Sequence, residues 1–373
     1  MKKFAALVCA VLLLGGSARA MEVTAPSAML MEKETGTVLF AKDEHAKLEP
    51  ASVTKVMTLL LTMEAVDGGQ LHYDDLITAS AHAVSMGGSQ IWLKEGERLS
   101  VADMLKAVCV VSANDCAVAL AEELAGSEDA FVERMNRRAG ELGMNDTTFK
   151  NASGLPAEGH VTSAYDVALM SRELILHHPD LRQYTTLWMD TLRDGVSELV
   201  NTNKLIRFYQ GATGLKTGST DSAKYCVSAT AERDGMELIS VIMKATTSAQ
   251  RFEDAKALLS YGFSTYALKK IAPETPLLPL PVNLGLQATV QPVLTPDNAL
   301  LLEKAQSGDL HQRVTLPERV EAPLTKGDTL GTLSVLCGEE VVAELPILAG
   351  EDIPRITWGQ MVLRLFRMGF LSA

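Results

Sequence analysis

The sequence lacks the cysteine and histidine patterns that bind metals or build disulfide frameworks. Five cysteines occur in 373 residues, and one of them lies within the first 20. The other four show no Cys-x-x-Cys pair and no histidine spacing suited to zinc; they are Cys109, Cys116, Cys226 and Cys337. We therefore expect small buried thiols, no metal and no cofactor.

An excess of basic charge is also absent. The net charge of −12 argues against nucleic acid as a partner. Neither internal repeats nor low-complexity segments interrupt the chain. A composition of 47% hydrophobic and 21% charged residues is that of ordinary globular proteins, and the length allows two or three domains.

The N-terminus has the pattern of a secretory leader. Lys2 and Lys3 precede an apolar run from Phe4 to Leu14, and Ala18-Arg19-Ala20 is a small-x-small cleavage site. The run is too short and wrongly flanked for a transmembrane helix. We predict that residues 1–20 are a signal peptide, cleaved after Ala20, and that the protein is exported.

Helical and strand patterns alternate over residues 21–272. A β-hairpin is predicted from two short apolar runs, and a capping box at Ser100 opens a helix. The predicted elements are strands at 27–31 and 37–41, helices at 52–67, 101–111, 117–124, 131–142, 163–175 and 251–261, and strands at 225–231 and 238–243.

The composition changes at Pro273. Closely spaced prolines are followed by short apolar runs with turn signals, which predict a small all-β domain over residues 273–350. The final segment, 351–373, is predicted to form a helix with Gln360, Arg364 and Arg367 on one narrow face. A cationic amphipathic helix with Trp and Phe is suited to the membrane interface, so we expect residues 354–373 to contact a membrane surface; packing on its own protein is the alternative.

One short segment suggests nucleophilic catalysis. Ser52 and Lys55 are three residues apart after Pro50, so on a helix their side chains share a face. A lysine can take a serine proton only if burial or a nearby cation lowers its pKa toward neutrality. Roughly one Ser-x-x-Lys is expected by chance in a chain this long, so the pair needs support from elsewhere.

Two further motifs give that support. Ser112 and Asn114 interrupt two apolar helical runs, where they could act as a helix cap or as a proton relay and a substrate-gripping amide. Lys216-Thr217-Gly218 lies at the head of a predicted hairpin and offers a cation, a hydroxyl and a glycine that allows close backbone approach. The alternative is a turn with a solvated lysine.

The three motifs in this order resemble those of the low-molecular-mass penicillin-binding proteins, the serine-type D-alanyl-D-alanine carboxypeptidases. The similarity extends over nearly the whole chain and includes Phe149-x-Asn151-x-x-Gly154-Leu155 and Arg251-Phe252. It implies an α+β fold: a β-lactamase/transpeptidase-like domain with an antiparallel sheet flanked by helices, then the small all-β domain and the amphipathic helix. Ala113 and Ser219 stand where many relatives have other residues.

The resemblance also implies a mechanism. Lys55 would deprotonate Ser52, which attacks the bond between two D-alanines of a peptidoglycan stem peptide, while Ser112 passes a proton to the leaving D-alanine. Asn114 would orient the substrate and the amine. Lys216 is the fifth implied catalytic residue and, with Thr217, would bind the terminal carboxylate. The implied substrate-binding residues are Thr217, Gly218 and Ser219, with Arg251 as a helper, and backbone N–H groups of Ser52 and Ser219 would hold the oxyanion.

Four functions remain open at this point. The leading one is a carboxypeptidase at the outer face of the cytoplasmic membrane, acylated and inhibited by β-lactam antibiotics. A D,D-endopeptidase would use the same groups. A class A-like β-lactamase would need a deacylating glutamate, for which Glu141 with Asn145 is a superficial match beside Gly143. A non-catalytic wall-binding scaffold could keep the fold without the chemistry.

Overall fold

The structure, a computed structural model, describes residues 22–306 and 310–370. The predicted signal peptide therefore lies outside the described residues. Within them the chain divides into two compact units. The first contains residues 22–31, 38–232 and 238–261, and the second contains residues 262–306 and 310–370 with the two short segments 32–37 and 233–237.

The first unit combines a five-stranded sheet with helices. Its helices are α1 (Lys55–Asp67), α2 (Ala81–Val84), α3 (Val101–Val110), α4 (Asn114–Ala125), α5 (Glu128–Glu141), α6 (Ala164–His177), α7 (Arg182–Thr185), α8 (Leu205–Phe208) and α9 (Ser248–Thr265), the last of which continues into the second unit. Its strands are β1 (Ser27–Glu32), β2 (Val38–Lys42), β3 (Leu76–Thr78), β4 (Arg98–Ser100), β5 (Met189–Leu192), β6 (Ser197–Val200), β7 (Ala212–Thr220), β8 (Lys224–Arg233) and β9 (Met236–Ala245).

The strand order of the sheet is β2-β1-β9-β8-β7, so β7 is an edge strand. The hairpin of β1 and β2 and the pairing of β7 with β8 are antiparallel. Strands β1 and β9 and helices α1, α3 and α4 contribute side chains to one large apolar core. The predicted α+β class is confirmed.

Helices α1 and α4 are buried for most of their length, although most helices in globular proteins show one polar face to water. At the ends of a helix the backbone groups lack partners within the helix. Lys55 is the first residue of α1, and Asn114 is the first residue of α4. The core therefore fixes the positions of two of the predicted site residues.

Several helix starts follow the sequence signals. The Ser100 hydroxyl accepts a hydrogen bond from the backbone N–H of Asp103, and Ser163 caps α6 through Asp166 in the same way. Ser112 and Asn114 do not cap α4, whose N-cap residue is Ala113 without a side-chain hydrogen bond. The capping alternative for that motif is therefore wrong.

Two local predictions are also wrong. Ser52 does not lie on an α-helix but on a 3₁₀ turn, Ala51–Thr54, that immediately precedes α1. Lys216-Thr217-Gly218 does not form the head of a hairpin; it lies in the middle of β7 and pairs with Ser228, Val227 and Cys226 of β8. Glycine and polar residues there suggested a turn, but the strand tolerates them because its register with β8 buries them.

The second unit is rich in β-structure. Its strands are β10 (Tyr266–Lys270), β11 (Leu280–Asn283), β12 (Thr289–Val290), β13 (Pro292–Leu294), β14 (Ala299–Glu303), β15 (Leu310–Thr315), β16 (Val320–Glu321), β17 (Thr329–Cys337) and β18 (Glu340–Ala349), and helix α10 spans Trp358–Phe370. The longest antiparallel pair is β17 with β18. Small apolar clusters around Leu333 and Ile353 form its interior.

Among the described residues, no helix combines the length and the apolar character needed to cross a bilayer. The four cysteines of the described chain are free; Cys109, Cys116 and Cys226 are buried as expected, and Cys337 is half-buried.

Candidate active site

The nucleophile candidate lies on a turn into which two other segments press closely. A Cβ atom added to Gly218 would lie 2.9 Å from the backbone nitrogen of Ser52, and one added to Gly154 would lie 1.9 Å from the carbonyl oxygen of Ala51. Gly154 also has a φ of 81°, which favours glycine. Only residues without a side chain fit at these two contacts, so both segments reach the backbone around Ser52.

The Lys55 amine is buried at the centre of the site. Its Nζ lies 3.1 Å from Ser52 Oγ, 2.5 Å from Asn114 Oδ1 and 2.6 Å from the carbonyl oxygen of Ser153. The structure therefore brings together the first two motifs of the sequence. It adds a backbone carbonyl that no side-chain pattern could reveal.

The environment of Lys55 favours the neutral amine. Burial, followed by the nearby ammonium of Lys216, lowers the pKa of Lys55 well below its ordinary value of 10.5, and Asp115 only partly opposes this. Position adds to the effect, because the N-terminus of α1 carries the positive end of the helix dipole. A neutral amine beside a hydroxyl can accept its proton.

Ser112 and Asn114 have different environments. Asn114 is fixed on both sides of its amide, since Nδ2 donates to the carbonyl of Gly87 at 2.6 Å and Oδ1 faces Lys55. Ser112 is buried with a φ of 64°, and its Oγ has no hydrogen-bond partner among the residues that the structure describes. A buried hydroxyl without a hydrogen-bond partner costs stability, so we infer that this side chain serves function rather than folding.

Lys216 faces the interior from β7 and is 1% exposed. Its Nζ donates to the carbonyl of Thr217 at 3.0 Å, and burial lowers its pKa to about 7. The Thr217 hydroxyl donates to the hydroxyl of Thr202 at 2.8 Å. Ser219, further along the strand, is exposed. Because β7 is an edge strand, an extended peptide could pair with it.

Arg251 is tied to the same strand from within the fold. Its Nη1 donates to the carbonyls of Gly218 and Cys226, each at 3.1 Å, and its guanidinium lies against the rings of Tyr225 and Phe252. Burial lowers its pKa to about 10. These contacts make Arg251 a support for β7 and β8, and its direct contact with a substrate stays a prediction.

Sequence reasoning missed Ser153 and Thr202. The Ser153 contribution is a backbone oxygen, and the segment around Thr202 has no clear pattern. The glutamate of the β-lactamase alternative has no place here: the Glu141 side chain is 55% exposed and pairs with Arg138. No group of three or more potential metal ligands occurs within 22–306 and 310–370.

Known proteins match this arrangement over most of the chain. The family model of D-alanyl-D-alanine carboxypeptidases matches residues 15–247, and that of the C-terminal domain of penicillin-binding protein 5 matches residues 269–355. The D-alanyl-D-alanine carboxypeptidase DacF of Bacillus subtilis is 40% identical over 336 residues, covering 89% of this chain and 86% of the relative. DacC of Escherichia coli is 31% identical, covering 89% and 84%.

Solved structures of penicillin-binding proteins have the same fold as this chain. Penicillin-binding protein 5 from Haemophilus influenzae superposes with a TM-score of 0.79 at 27% identity, covering 91% of this chain and all of that one. Penicillin-binding protein 6B from Escherichia coli gives a TM-score of 0.73 at 31% identity, covering 89% and 98%.

Fold and relatives together define a serine-type hydrolase of the penicillin-binding class. The chain belongs to the D-alanyl-D-alanine carboxypeptidase family, as the order of its three motifs predicted.

Proposed function

We propose that this protein removes the terminal D-alanine from peptidoglycan stem pentapeptides through an acyl-enzyme on Ser52. The 3.1 Å separation between Ser52 Oγ and a buried, neutral-prone Lys55 amine carries this proposal. Lys55 takes the hydroxyl proton as Oγ bonds to the carbonyl carbon of the penultimate D-alanine. The C–N bond to the last D-alanine then breaks, and water hydrolyses the resulting ester.

Protonation of the leaving amine requires a donor, and Ser112 is proposed for that role. Its buried hydroxyl has no partner within the described part of the chain, so it is available to pass a proton. Asn114 orients the Lys55 amine through its Oδ1 atom. The backbone N–H groups of Ser52 and Ser219 are proposed to hold the oxyanion, and the loss of one such donor typically costs ~10²–10³ in rate.

The free carboxylate of the substrate is proposed to bind Lys216 and the Thr217 hydroxyl on the edge strand β7. Lys216 with a pKa of about 7 is cationic in part of the molecules at neutral pH, and a carboxylate favours the charged form. Gly218 lets β7 pass against the backbone of the turn that carries Ser52, and Ser219 is open to an extended peptide. β-Lactams would acylate the same hydroxyl and act as inhibitors.

We further propose that the protein acts outside the cytoplasmic membrane, to which α10 binds. Trp358 and Leu363 of this helix are strongly exposed, as expected for side chains that enter a lipid interface. Residues 1–20 would direct export. The catalytic domain would span 21–272, the all-β domain 273–350 and the anchor 351–373.

A labelling experiment tests the chemistry. A fluorescent penicillin should label the wild type covalently and leave Ser52→Ala unlabelled. A peptide ending in D-Ala-D-Ala should release D-alanine, whereas a β-lactam should be hydrolysed only slowly. Rapid hydrolysis of the antibiotic would favour the β-lactamase alternative. Cleavage of cross-linked peptide dimers would show endopeptidase activity. Absence of penicillin labelling would favour the non-catalytic scaffold.

A further inference from the structure

One hydrogen-bond acceptor of the Lys55 amine is a backbone oxygen on a loop. The carbonyl of Ser153 lies 2.6 Å from Nζ and, with Ser52 Oγ and Asn114 Oδ1, completes three oxygen acceptors around it. An ammonium has three N–H donors and a neutral amine only two. Three acceptors therefore stabilise the ammonium that forms when Lys55 takes the serine proton.

The side chain of Asn151 builds the turn that presents this carbonyl. Its Oδ1 accepts hydrogen bonds from the backbone N–H of Gly154 at 2.6 Å and of Ser153 at 3.2 Å. Its Nδ2 donates to the carbonyl of Leu155 at 2.9 Å. One amide thus fixes three consecutive residues, because an asparagine can replace a backbone turn in this way.

Other contacts hold the start of the loop. The Thr58 hydroxyl of α1 donates to the carbonyl of Ala152 at 2.6 Å, and the carboxylate of Glu128 accepts from the N–H of Ala152 at 2.9 Å. Neither reaches the peptide bond that carries the Ser153 oxygen. The orientation of that oxygen depends on the turn closed by Asn151.

We propose that Asn151 is a positioning residue for acyl transfer: through the turn 151–155 it holds the Ser153 carbonyl against Lys55 and stabilises the protonated form of this base. The inference rests on the proposed function. Asn151 itself contacts neither Ser52 nor Lys55 in the hydrogen bonds above. The charged groups that face Lys55 are Lys216 from β7 and Asp115 from α4, and neither belongs to the turn.

Two substitutions should move the Lys55 titration in opposite directions. Asn151→Ala frees the turn and withdraws the carbonyl, so the pKa of Lys55 falls further. Asn151→Asp keeps an oxygen acceptor for the N–H groups of Ser153 and Gly154 and loses the donor to the Leu155 carbonyl. It also adds a negative charge near the amine, so the pKa of Lys55 rises. A purely structural role for Asn151 would lower stability without moving this titration.

The measurement is the second-order rate constant for acylation by a fluorescent penicillin as a function of pH. For Asn151→Ala we expect the acid limb to move to lower pH and the plateau rate to fall about tenfold, the effect of losing one hydrogen bond to a charged group. For Asn151→Asp the acid limb should move to higher pH. Asn136→Ala is the matched control. The Asn136 side chain donates to the carbonyl of Phe149 and accepts from its N–H, so it supports the chain just before the turn 151–155.

An unmoved acid limb in Asn151→Ala, whatever its rate, would overturn the inference, and so would an equal shift in Asn136→Ala. If Asn151→Ala does not fold, Asn151→Asp decides through the direction of its shift. Failure of the proposed function looks different, because the wild type would then remain unlabelled or Ser52→Ala would still be labelled.

Discussion

Removal of the buried ammonium of Lys216 should stabilise the protein in a pH-dependent way. Lys216 is 1% exposed, and burial lowers its pKa from 10.5 to about 7. The folded protein therefore favours the neutral amine, whereas the unfolded chain keeps the proton up to its ordinary pKa. Lys216→Met fills similar space without a charge.

The magnitude follows from this shift. Between pH 7 and 10.5 the unfolded state binds more protons than the folded state, so wild-type stability rises with pH over this range. The contribution is fully present above pH 10.5 and is lost as the pH falls through about 7. Between pH 7 and pH 10 it amounts to about 3 kcal/mol for one lysine with these two pKa values. Lys216→Met lacks it.

Urea unfolding followed by far-UV circular dichroism measures the effect. The free-energy advantage of Lys216→Met over the wild type should be greater at pH 7 than at pH 10 by this amount. Lys150→Met, which changes an exposed lysine, should show no such difference. Equal pH slopes for the wild type and Lys216→Met would refute a buried, depressed lysine in β7. The variant should also lose activity on D-Ala-D-Ala peptides, because Lys216 is proposed to bind the substrate carboxylate. Functional sites often sacrifice stability in this way.

Four other changes test separate parts of the structure. Gly154→Ala should cost about 3 kcal/mol of stability and abolish penicillin labelling, since its Cβ would meet the Ala51 carbonyl at a positive φ; unchanged melting would contradict this contact. Burial lowers the pKa of His160 to about 4, so folding disfavours its charged form and the wild type should lose about 3 kcal/mol of unfolding free energy between pH 7 and pH 4. His160→Gln should remove this loss. Chemical unfolding at both pH values measures it, and a wild type that is equally stable at both would contradict the prediction. Ser112→Ala should slow acylation by about 10²-fold without lowering the melting temperature, and stopped-flow labelling at the wild-type rate would exclude a proton relay. Glu141→Ala should leave the decay of the penicilloyl-enzyme unchanged, and slower decay would revive the β-lactamase alternative.

Much of the first unit follows from local patterns in the sequence. The hairpin β1–β2 is recognisable from a Gly-containing turn between two apolar runs, and the caps at Ser100 and Ser163 from a hydroxyl before an apolar run. Both signals act over only a few residues. The order of the three motifs indicated the family for a different reason. Each motif is weak, but their combination is rare.

What could not be predicted depends on contacts between distant segments. The Ser153 carbonyl reaches Lys55 across 98 residues of sequence, and a backbone oxygen has no residue type to mark it. The strand position of Lys216-Thr217-Gly218 is set by its register with β8, which overrides the local preference of glycine for turns. The 3₁₀ turn at Ser52 likewise depends on packing by Gly218 and Gly154.

The paired glycines at the nucleophile have an evolutionary consequence. Because main chain meets main chain there, substitutions have little freedom to reshape the surroundings of Ser52 without displacing its backbone. If β-lactams acylate Ser52 as proposed, resistance substitutions are expected at exposed positions such as Ser219 rather than at Gly218 or Gly154.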